Sequence, residues 1–98
     1  MNFEYRLSGI VFAWDSRKAA SNRRKHDIDF KTACEVFLDP FIKFTGTEII
    51  YGEARESVIG MTGDWKMLKV IYVYSAEYIR IISARAVTIQ ERIKYEEQ

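Results

Sequence analysis

Apolar and polar residues alternate near the C-terminal end of the chain, where the pattern predicts a strand over residues 78–85. Strict alternation would place Ser83 and Arg85 on the same face as Ile81, which should otherwise belong to the core. An unpaired buried arginine is costly. We therefore expect Arg85 either to pair with an acid at the edge of the core or to hold an anion in a concave site.

Capping residues and apolar spacing predict two helices in the first half of the chain. Asp15 is a suitable N-cap for a helix over residues 16–25. Asp29 would cap a second helix, which Asp39-Pro40 should end because a residue before proline disfavours the helical conformation. The apolar positions of this second helix have the spacing of a buried stripe, namely Phe30, Ala33, Cys34 and Phe37.

Strand patterns account for most of the remaining chain. Three strands joined by short turns predict an antiparallel meander, over residues 55–61, 67–74 and 78–85. Shorter stretches suit a hairpin or one bent strand at residues 3–5 and 10–14, and an edge strand or loop at 41–45 and 48–51. Thr88 and Glu91 form a capping-box pattern that predicts a last helix. We expect a single α+β domain over residues 1–98, with two N-terminal helices packed on an antiparallel sheet and a C-terminal helix.

The composition is that of an ordinary globular protein. The chain has 98 residues, of which 48% are apolar and 30% charged. No apolar run approaches the roughly 20 residues of a membrane span, and the first residues lack the apolar segment of a signal peptide. Cys34 is the single cysteine, which excludes an internal disulfide and favours a small core side chain over a catalytic thiol. We expect a cytoplasmic protein.

Positive charge is concentrated in the first predicted helix, although the net charge is only +1. Five cations without an intervening acid fall within nine residues, namely Arg17, Lys18, Arg23, Arg24 and Lys25. A solvated helix face is the ordinary interpretation of such a run. The alternative is one strongly positive face on a nearly neutral protein. Lys18, Asn22 and Lys25 or His26 would share a face of this helix.

His26 is the only histidine, at the end of the first predicted helix. It could cap the helix C-terminus, bind a metal with Asp27 and Asp29, or transfer a proton near neutral pH. One histidine cannot supply a histidine-rich metal site, so we expect no metal and no cofactor. Proton transfer becomes attractive if His26 and Lys25 lie at one end of the sheet.

A pocket built from these groups and the strand cations would suit a phosphodiester. Metal-free RNA cleavage needs a base for the 2′-hydroxyl, cations around the transition state and an acid for the leaving oxygen. Arginine holds phosphate oxygens bidentately. The strand residues available for this are Arg55, Arg80, Ser83 and Arg85. Exposed aromatic residues could stack an unpaired base, although Trp14, Trp65 and Tyr95 are also ordinary core candidates.

An ordered set of short motifs along nearly the whole chain resembles the BrnT family of bacterial type II toxins, distant members of the RelE-like ribonuclease group. The set comprises Phe12-x-Trp14-Asp15, Lys18, Asn22, Lys25-His26, Ile28-x-Phe30, Ala33, Val36-Phe37, Asp39-Pro40, Gly52-Glu53-x-Arg55, Ile59-Gly60, Ile79 through Arg85, Glu91-Arg92 and Tyr95-Glu96. The resemblance implies a small RelE-like fold and an endoribonuclease that cleaves messenger RNA without metal.

The resemblance also implies partners and site residues. A ribbon-helix-helix antitoxin of the BrnA type would neutralise the toxin, and operator DNA would be bound only through their complex. The catalytic set carried over by position is Lys25, His26, Arg55, Ser83 and Arg85, with Lys18, Asn22 and Arg80 as RNA contacts. Arg55 and Arg85 would clamp the phosphate, His26 would transfer protons, Lys25 would supply charge and Ser83 would orient the substrate.

Two alternatives remain open from the sequence. The same basic surface could dock a partner segment, so that the protein would be a non-catalytic binding module or a co-repressor of its own operon. The basic residues could also be plain surface ion pairs, with Glu53 or Glu91 as the acids. Convergence of the cations on one pocket would favour catalysis.

Overall fold

The structure is a computed structural model that describes residues 2–97. Within these residues, six strands form one sheet in the order β1-β2-β6-β5-β4-β3, accompanied by three α-helices and one 3₁₀ helix. The strands are β1 (Asn2–Leu7), β2 (Ile10–Asp15), β3 (Lys43–Ile50), β4 (Glu53–Met61), β5 (Met67–Tyr74) and β6 (Ile79–Ala86). The helices are α1 (Ser16–His26), α2 (Phe30–Cys34), the 3₁₀ helix Glu35–Leu38 and α3 (Ile89–Glu96).

The predicted caps determine where the helices begin and end. The Asp15 carboxylate accepts hydrogen bonds from the backbone N–H groups of Arg17 and Lys18, and α1 ends where Asp27 takes the left-handed conformation at φ 56°. Asp29 caps α2 in the same way. Thr88 and Glu91 form the predicted capping box of α3. The local predictions of these three helix starts are confirmed.

The core lies between one face of the sheet and the helices α1, α2 and 3₁₀. Trp14, at 5% exposure, and Phe12, at 0%, bring β2 into this core. Cys34 is fully buried, and burial raises the pKa of its thiol to about 12. Both Trp14 and Cys34 are therefore core side chains.

The predicted RelE-like arrangement, two N-terminal helices on an antiparallel sheet, is wrong, although the α+β class is right. The β1–β2 hairpin precedes α1 and joins the sheet, because Phe12 and Trp14 complete the core beside β6. β2 pairs with β6 in parallel, through Phe12 with Ile79 and Ala13 with Arg80, so the sheet is mixed. The second predicted helix is a five-residue α-helix that continues as the 3₁₀ helix.

Among residues 2–97, α3 is the element that covers the second face of the sheet, and it does so at one end. In the strand register Ile59 lies between Lys43 and Lys69, and both lysines contact α3. Ile59 is fully buried as a result. The rest of this face remains open. Within residues 2–97, no helix is long and apolar enough to cross a lipid bilayer.

Candidate active site

A β-bulge in β6 decides which side chains reach each face of the sheet. The pairing of β5 with β6 shifts between Ile81 and Ser83, so Ile82 is an extra residue on β6. Such a residue interrupts the alternation of faces. Ile81 and Ala84 are both buried, at 1% and 0% exposure, whereas Ser83 lies on the open face. The prediction that Ser83 and Arg85 share the face of Ile81 is therefore wrong.

Asn22 joins α1 to the edge of β6. Its Nδ2 donates to the carbonyl oxygen of Ala84 at 2.9 Å, and its Oδ1 accepts from the N–H of Ala84 at 3.0 Å. Nδ2 also donates to the carbonyl oxygen of Ile28 at 3.1 Å. Asn22 is 5% exposed, so its amide is occupied by backbone groups and is not placed as the RNA contact predicted from the sequence. The two bonds to Ala84 hold α1 beside the bulge.

The other predicted site residues on α1 are Lys18, Lys25 and His26. Together with Ser83 they line a small cavity, which we call the α1 hollow. It has a volume of about 230 Å³ and is lined by Lys18, Ser21, Asn22, Lys25, His26, Ile82 and Ser83. Among residues 2–97, the ionisable side chains that line it are two lysines and the histidine, and no carboxylate does. An anion could therefore enter the α1 hollow without meeting a like charge at its wall.

A second concavity, the open-face groove, adjoins the α1 hollow through Ile82 and Ser83, which line both. It has a volume of about 500 Å³. Its polar lining includes Thr45, Glu48, Arg55, Glu56, Ser57 and Lys69. Two acids balance two cations here, so this groove is less positive than the α1 hollow. Ser83 is the polar side chain at the junction of the two.

Arg55 retains an unused donor in the open-face groove. Its Nε is buried and has no hydrogen-bond partner within residues 2–97, and Glu53 Oε1 lies 3.6 Å from it, beyond hydrogen-bond distance. Glu53 also forms a close ion pair with Arg80. One carboxylate thus serves two guanidinium groups. Arg55 lines the groove, whereas Arg80 lines neither described concavity.

Arg85 is held by Glu91 of α3. Its Nη1 and Nη2 donate to the two carboxylate oxygens of Glu91 at 2.8 and 2.9 Å, and Lys69 Nζ lies 3.4 Å from the same carboxylate. The hydrogen bonds from Arg85 lower the pKa of Glu91 to about 2. Arg85 lines neither concavity. Of the two alternatives left by the sequence, this geometry favours the ion pair with an acid.

The aromatic residues proposed for base stacking differ in their placement. Trp14 is buried, and the hydroxyl of Tyr95 donates to Asp39 Oδ2 at 2.6 Å. Trp65 is 83% exposed, but it lines a different concavity, which it shares with Tyr95. Across residues 2–97 there is no group of three or more histidine, cysteine, aspartate or glutamate side chains close enough to hold a metal ion.

The comparisons with known proteins agree with the motif pattern. The family model described as "Ribonuclease toxin, BrnT, of type II toxin-antitoxin system" matches residues 14–91. The chain belongs to the BrnT family. A solved relative is the 1.1 Å crystal structure of the Brucella abortus ribonuclease toxin BrnT, with 27% identity and a TM-score of 0.62 over 76% of this chain and 92% of that one. A search of curated proteins gave no match.

This BrnT-family site contains a residue that sequence reasoning did not single out. Lys69 lies on β5 directly opposite Arg85 in the strand register and lines the open-face groove. The signal was present, because Lys69 is the one charged residue inside an otherwise apolar or aromatic strand, Met67–Tyr74. The hydrogen bond between Thr45 Oγ1 and Ser57 Oγ, 2.7 Å long, was equally unforeseen because it depends on the pairing of β3 with β4.

Proposed function

We propose that this member of a ribonuclease toxin family is a cytoplasmic endoribonuclease that cleaves messenger RNA without a metal ion. The observation that supports the proposal most is the α1 hollow. Lys25 and His26 on α1 and Ser83 on β6 line one cavity, to which the described part of the chain contributes no carboxylate. A phosphodiester would be attracted there, beside a side chain able to move protons near neutral pH.

The proposed reaction is attack of a ribose 2′-oxygen on the adjacent phosphorus. The 2′-hydroxyl loses its proton, the new P–O2′ bond forms, and the bond from phosphorus to the 5′-oxygen of the next nucleotide breaks. A proton goes to that leaving oxygen, so the products are a 2′,3′-cyclic phosphate and a 5′-hydroxyl. His26 is our candidate for proton transfer, and Lys25 and Lys18 are candidates for charge stabilisation beside the phosphate.

Arg55 is our candidate for holding the phosphate from the side of the open-face groove. Its Nε has a donor that no described group uses, and Glu53 is shared with Arg80 and only weakly engages Arg55. Because this Nε is buried, a phosphate oxygen would instead bind the part of the guanidinium exposed in the groove, since the side chain is 26% exposed and charge-assisted bonds to phosphate are among the stronger ones. Ser83, at the junction of the two concavities, would orient the substrate.

Arg85 and Arg80 have different proposed roles from Arg55. Arg85 could clamp a phosphate only after leaving Glu91, so we propose that it positions α3 and the end of β6. Arg80 would support Arg55 by sharing Glu53. Asn22 would likewise position the site through its bonds to Ala84 and Ile28.

The partner that we propose is a ribbon-helix-helix antitoxin of the BrnA type. The family is defined within type II toxin-antitoxin systems, in which a protein antitoxin neutralises the toxin. We propose that operator DNA is bound only by the complex, because a net charge of +1 gives this chain little general attraction for duplex DNA. Co-purification with the product of an adjacent small gene, followed by an operator-binding assay with and without it, tests this part.

Cleavage in the presence of a chelator is the direct test of the activity. The purified chain is incubated with a labelled messenger RNA and excess EDTA, and the new 5′ ends are tested for a free hydroxyl. We expect cleavage by the wild type, strong loss in His26→Gln and Lys25→Met, and little change in Lys94→Met, a control that removes an exposed lysine from α3. Cleavage that needs added divalent metal, or full activity in His26→Gln, would overturn the mechanism.

One observation counts against catalysis by two of the predicted cations and so keeps the alternative of a non-catalytic partner-binding module or co-repressor. Arg85 and Arg80 are both paired with acids, as the purely structural interpretation of these cations expects. Tight antitoxin binding by a folded chain that leaves RNA intact, and that does not arrest growth on induction, would establish this alternative.

A further inference from the structure

Helix α1 carries three cations outside the α1 hollow, and we call two of them, Arg17 and Arg24, the outer pair. They are seven residues apart, which is about two helical turns or about 10.5 Å along the axis. Both are exposed. Each directly precedes a lysine of the hollow, Lys18 or Lys25, so the outer pair forms a second row beside the row that faces the hollow.

Within residues 2–97 neither member of the outer pair forms an ion pair, unlike their neighbour Arg23. Arg23 lies 3.4 Å from Asp27 and 3.9 Å from Asp29. No carboxylate of the described residues lies within 4.0 Å of the Arg17 or Arg24 guanidinium. Asp15 accepts the backbone N–H groups of Arg17 and Lys18, and it attracts the Arg17 charge only over a longer distance. The eleven residues of α1 include no acid at all. The outer pair therefore presents two cations to solvent without an ion-pair partner among residues 2–97.

The helix dipole favours the position of only one member of the outer pair. Arg24 is in the last turn, where a cation is favourable, but Arg17 is in the first turn, where a cation is unfavourable. A ligand that carries several negative charges would interact favourably with both Arg17 and Arg24. The continuity with Lys18 and Lys25 favours a polyanion that already occupies the hollow.

We propose that the outer pair binds phosphates of single-stranded RNA that flank the cleaved bond. This inference rests on the proposed ribonuclease function and deepens it. The substrate is then a strand long enough to fill the α1 hollow and continue over the helix. Arginine suits the task because its planar guanidinium binds phosphate oxygens in pairs.

Salt-dependent binding of two uncleavable RNAs is the test. Both probes carry 2′-O-methyl groups at every ribose; one has about 20 nucleotides and the other is a dinucleotide, whose single phosphate cannot contact both rows at once. For single strands, the slope of log affinity against log salt becomes shallower by about 0.7 for each phosphate that the protein no longer neutralises. We expect this change for Arg17→Ala and for Arg24→Ala with the long probe, and no change with the short one.

Arg23→Ala is the matched control, since it removes the same charge from the same helix but from a residue already paired with two acids. We expect its salt slope with the long probe to equal that of the wild type. Equal slopes for all three variants, or an equal effect of Arg24→Ala on both probes, would overturn the proposal. Thermal melting of each variant verifies the fold.

Two further measurements separate the possible failures. An oligoglutamate peptide serves as a second ligand that competes with the RNA. If Arg17→Ala and Arg24→Ala weaken binding of the peptide but leave binding of the long RNA unchanged, the proposal is wrong. The outer pair would then bind an acidic protein segment. Cleavage of the unmodified long RNA tests the underlying activity separately. A chain that cleaves RNA while the variants keep the wild-type slope would overturn only the proposal for the outer pair.

Discussion

Replacing Glu91 by glutamine removes one negative charge from the contact between α3 and the sheet. Glutamine keeps the shape of the side chain and can still accept the N–H of Thr88, which glutamate accepts at 2.9 Å, because the capping box tolerates either residue. The bidentate interaction with Arg85 and the contact of Lys69 lose their charge. The variant therefore removes the charge together with the acceptor that Arg85 Nη2 uses, because the amide NH2 of glutamine only donates.

The pKa of Glu91 gives the expected magnitude. Its pKa falls from 4.5 to about 2 on folding, chiefly because Arg85 donates to it. At about 1.4 kcal/mol for each pH unit between the two values, the full difference would be roughly 3.4 kcal/mol. The Arg85 side chain is 36% exposed, so solvent screening reduces this figure. We expect Glu91→Gln to lower the free energy of unfolding by about 1 to 2 kcal/mol at neutral pH.

The sign of the pH dependence follows from the lowered pKa. A carboxylate with a folded pKa below its unfolded value stabilises the protein above the unfolded pKa, and this stability is lost as pH falls through the folded pKa. The difference between the wild type and Glu91→Gln should be complete above about pH 5 and shrink steadily towards about pH 2. Other acids with lowered pKa values, such as Asp39, cancel in this difference because both proteins contain them.

Urea denaturation at several pH values, followed by tryptophan fluorescence, measures the difference. Glu96→Gln is the control, because Glu96 is also on α3 but is 58% exposed and lies 3.9 Å from Arg92. We expect it to change stability by a few tenths of a kcal/mol at most, as is usual for exposed pairs. A difference for Glu91→Gln that is the same at about pH 7 and about pH 3 would refute the electrostatic explanation.

Three further predictions concern the core and its edges. Asn22→Ala should destabilise the protein by about 2–4 kcal/mol, because it leaves the N–H and C=O of Ala84 without their partner, and chemical denaturation measures this. Gly60→Ala should cost about 1–3 kcal/mol in the same assay, because an added Cβ would lie 2.8 Å from Val36 Cβ and 2.9 Å from its carbonyl oxygen. The thiol of Cys34, with a pKa of about 12, should react with a disulfide reagent only after unfolding, so rapid reaction of the native protein would contradict its burial.

The local elements could be read from the sequence because their signals are local. Asp15, Asp29 and Thr88 each cap the helix predicted for them, since a cap is a hydrogen bond over two or three residues. The central strand Met67–Tyr74 was predicted for the same kind of reason, an unbroken β-prone run. These signals require no knowledge of which elements pack together.

The order and register of the strands in the sheet could not be predicted from such local signals. Parallel pairing of β2 with β6 joins residues more than sixty positions apart, and nothing in either strand marks the other as its neighbour. The bulge at Ile82 is equally hidden, because the run Ile79–Ala86 alternates acceptably in either phase. That single extra residue moves Ser83 from the predicted core face to the open face, where it joins Lys25 and His26 at the α1 hollow. These three residues therefore lie together because of the bulge, a feature that the assumption of strict alternation does not include.

The same Glu91→Gln variant decides what Arg85 does. If Arg85 only positions α3, the variant loses stability at neutral pH while its rate of RNA cleavage below the unfolding range stays at the wild-type value. If Arg85 is a phosphate clamp that Glu91 restrains, the freed guanidinium binds one more phosphate, and the salt slope for single-stranded RNA steepens by about 0.7. The bidentate geometry, with bonds of 2.8 and 2.9 Å, favours the first result. A steeper slope together with faster cleavage would return Arg85 to the catalytic set and make Glu91 its competitor for the RNA phosphate.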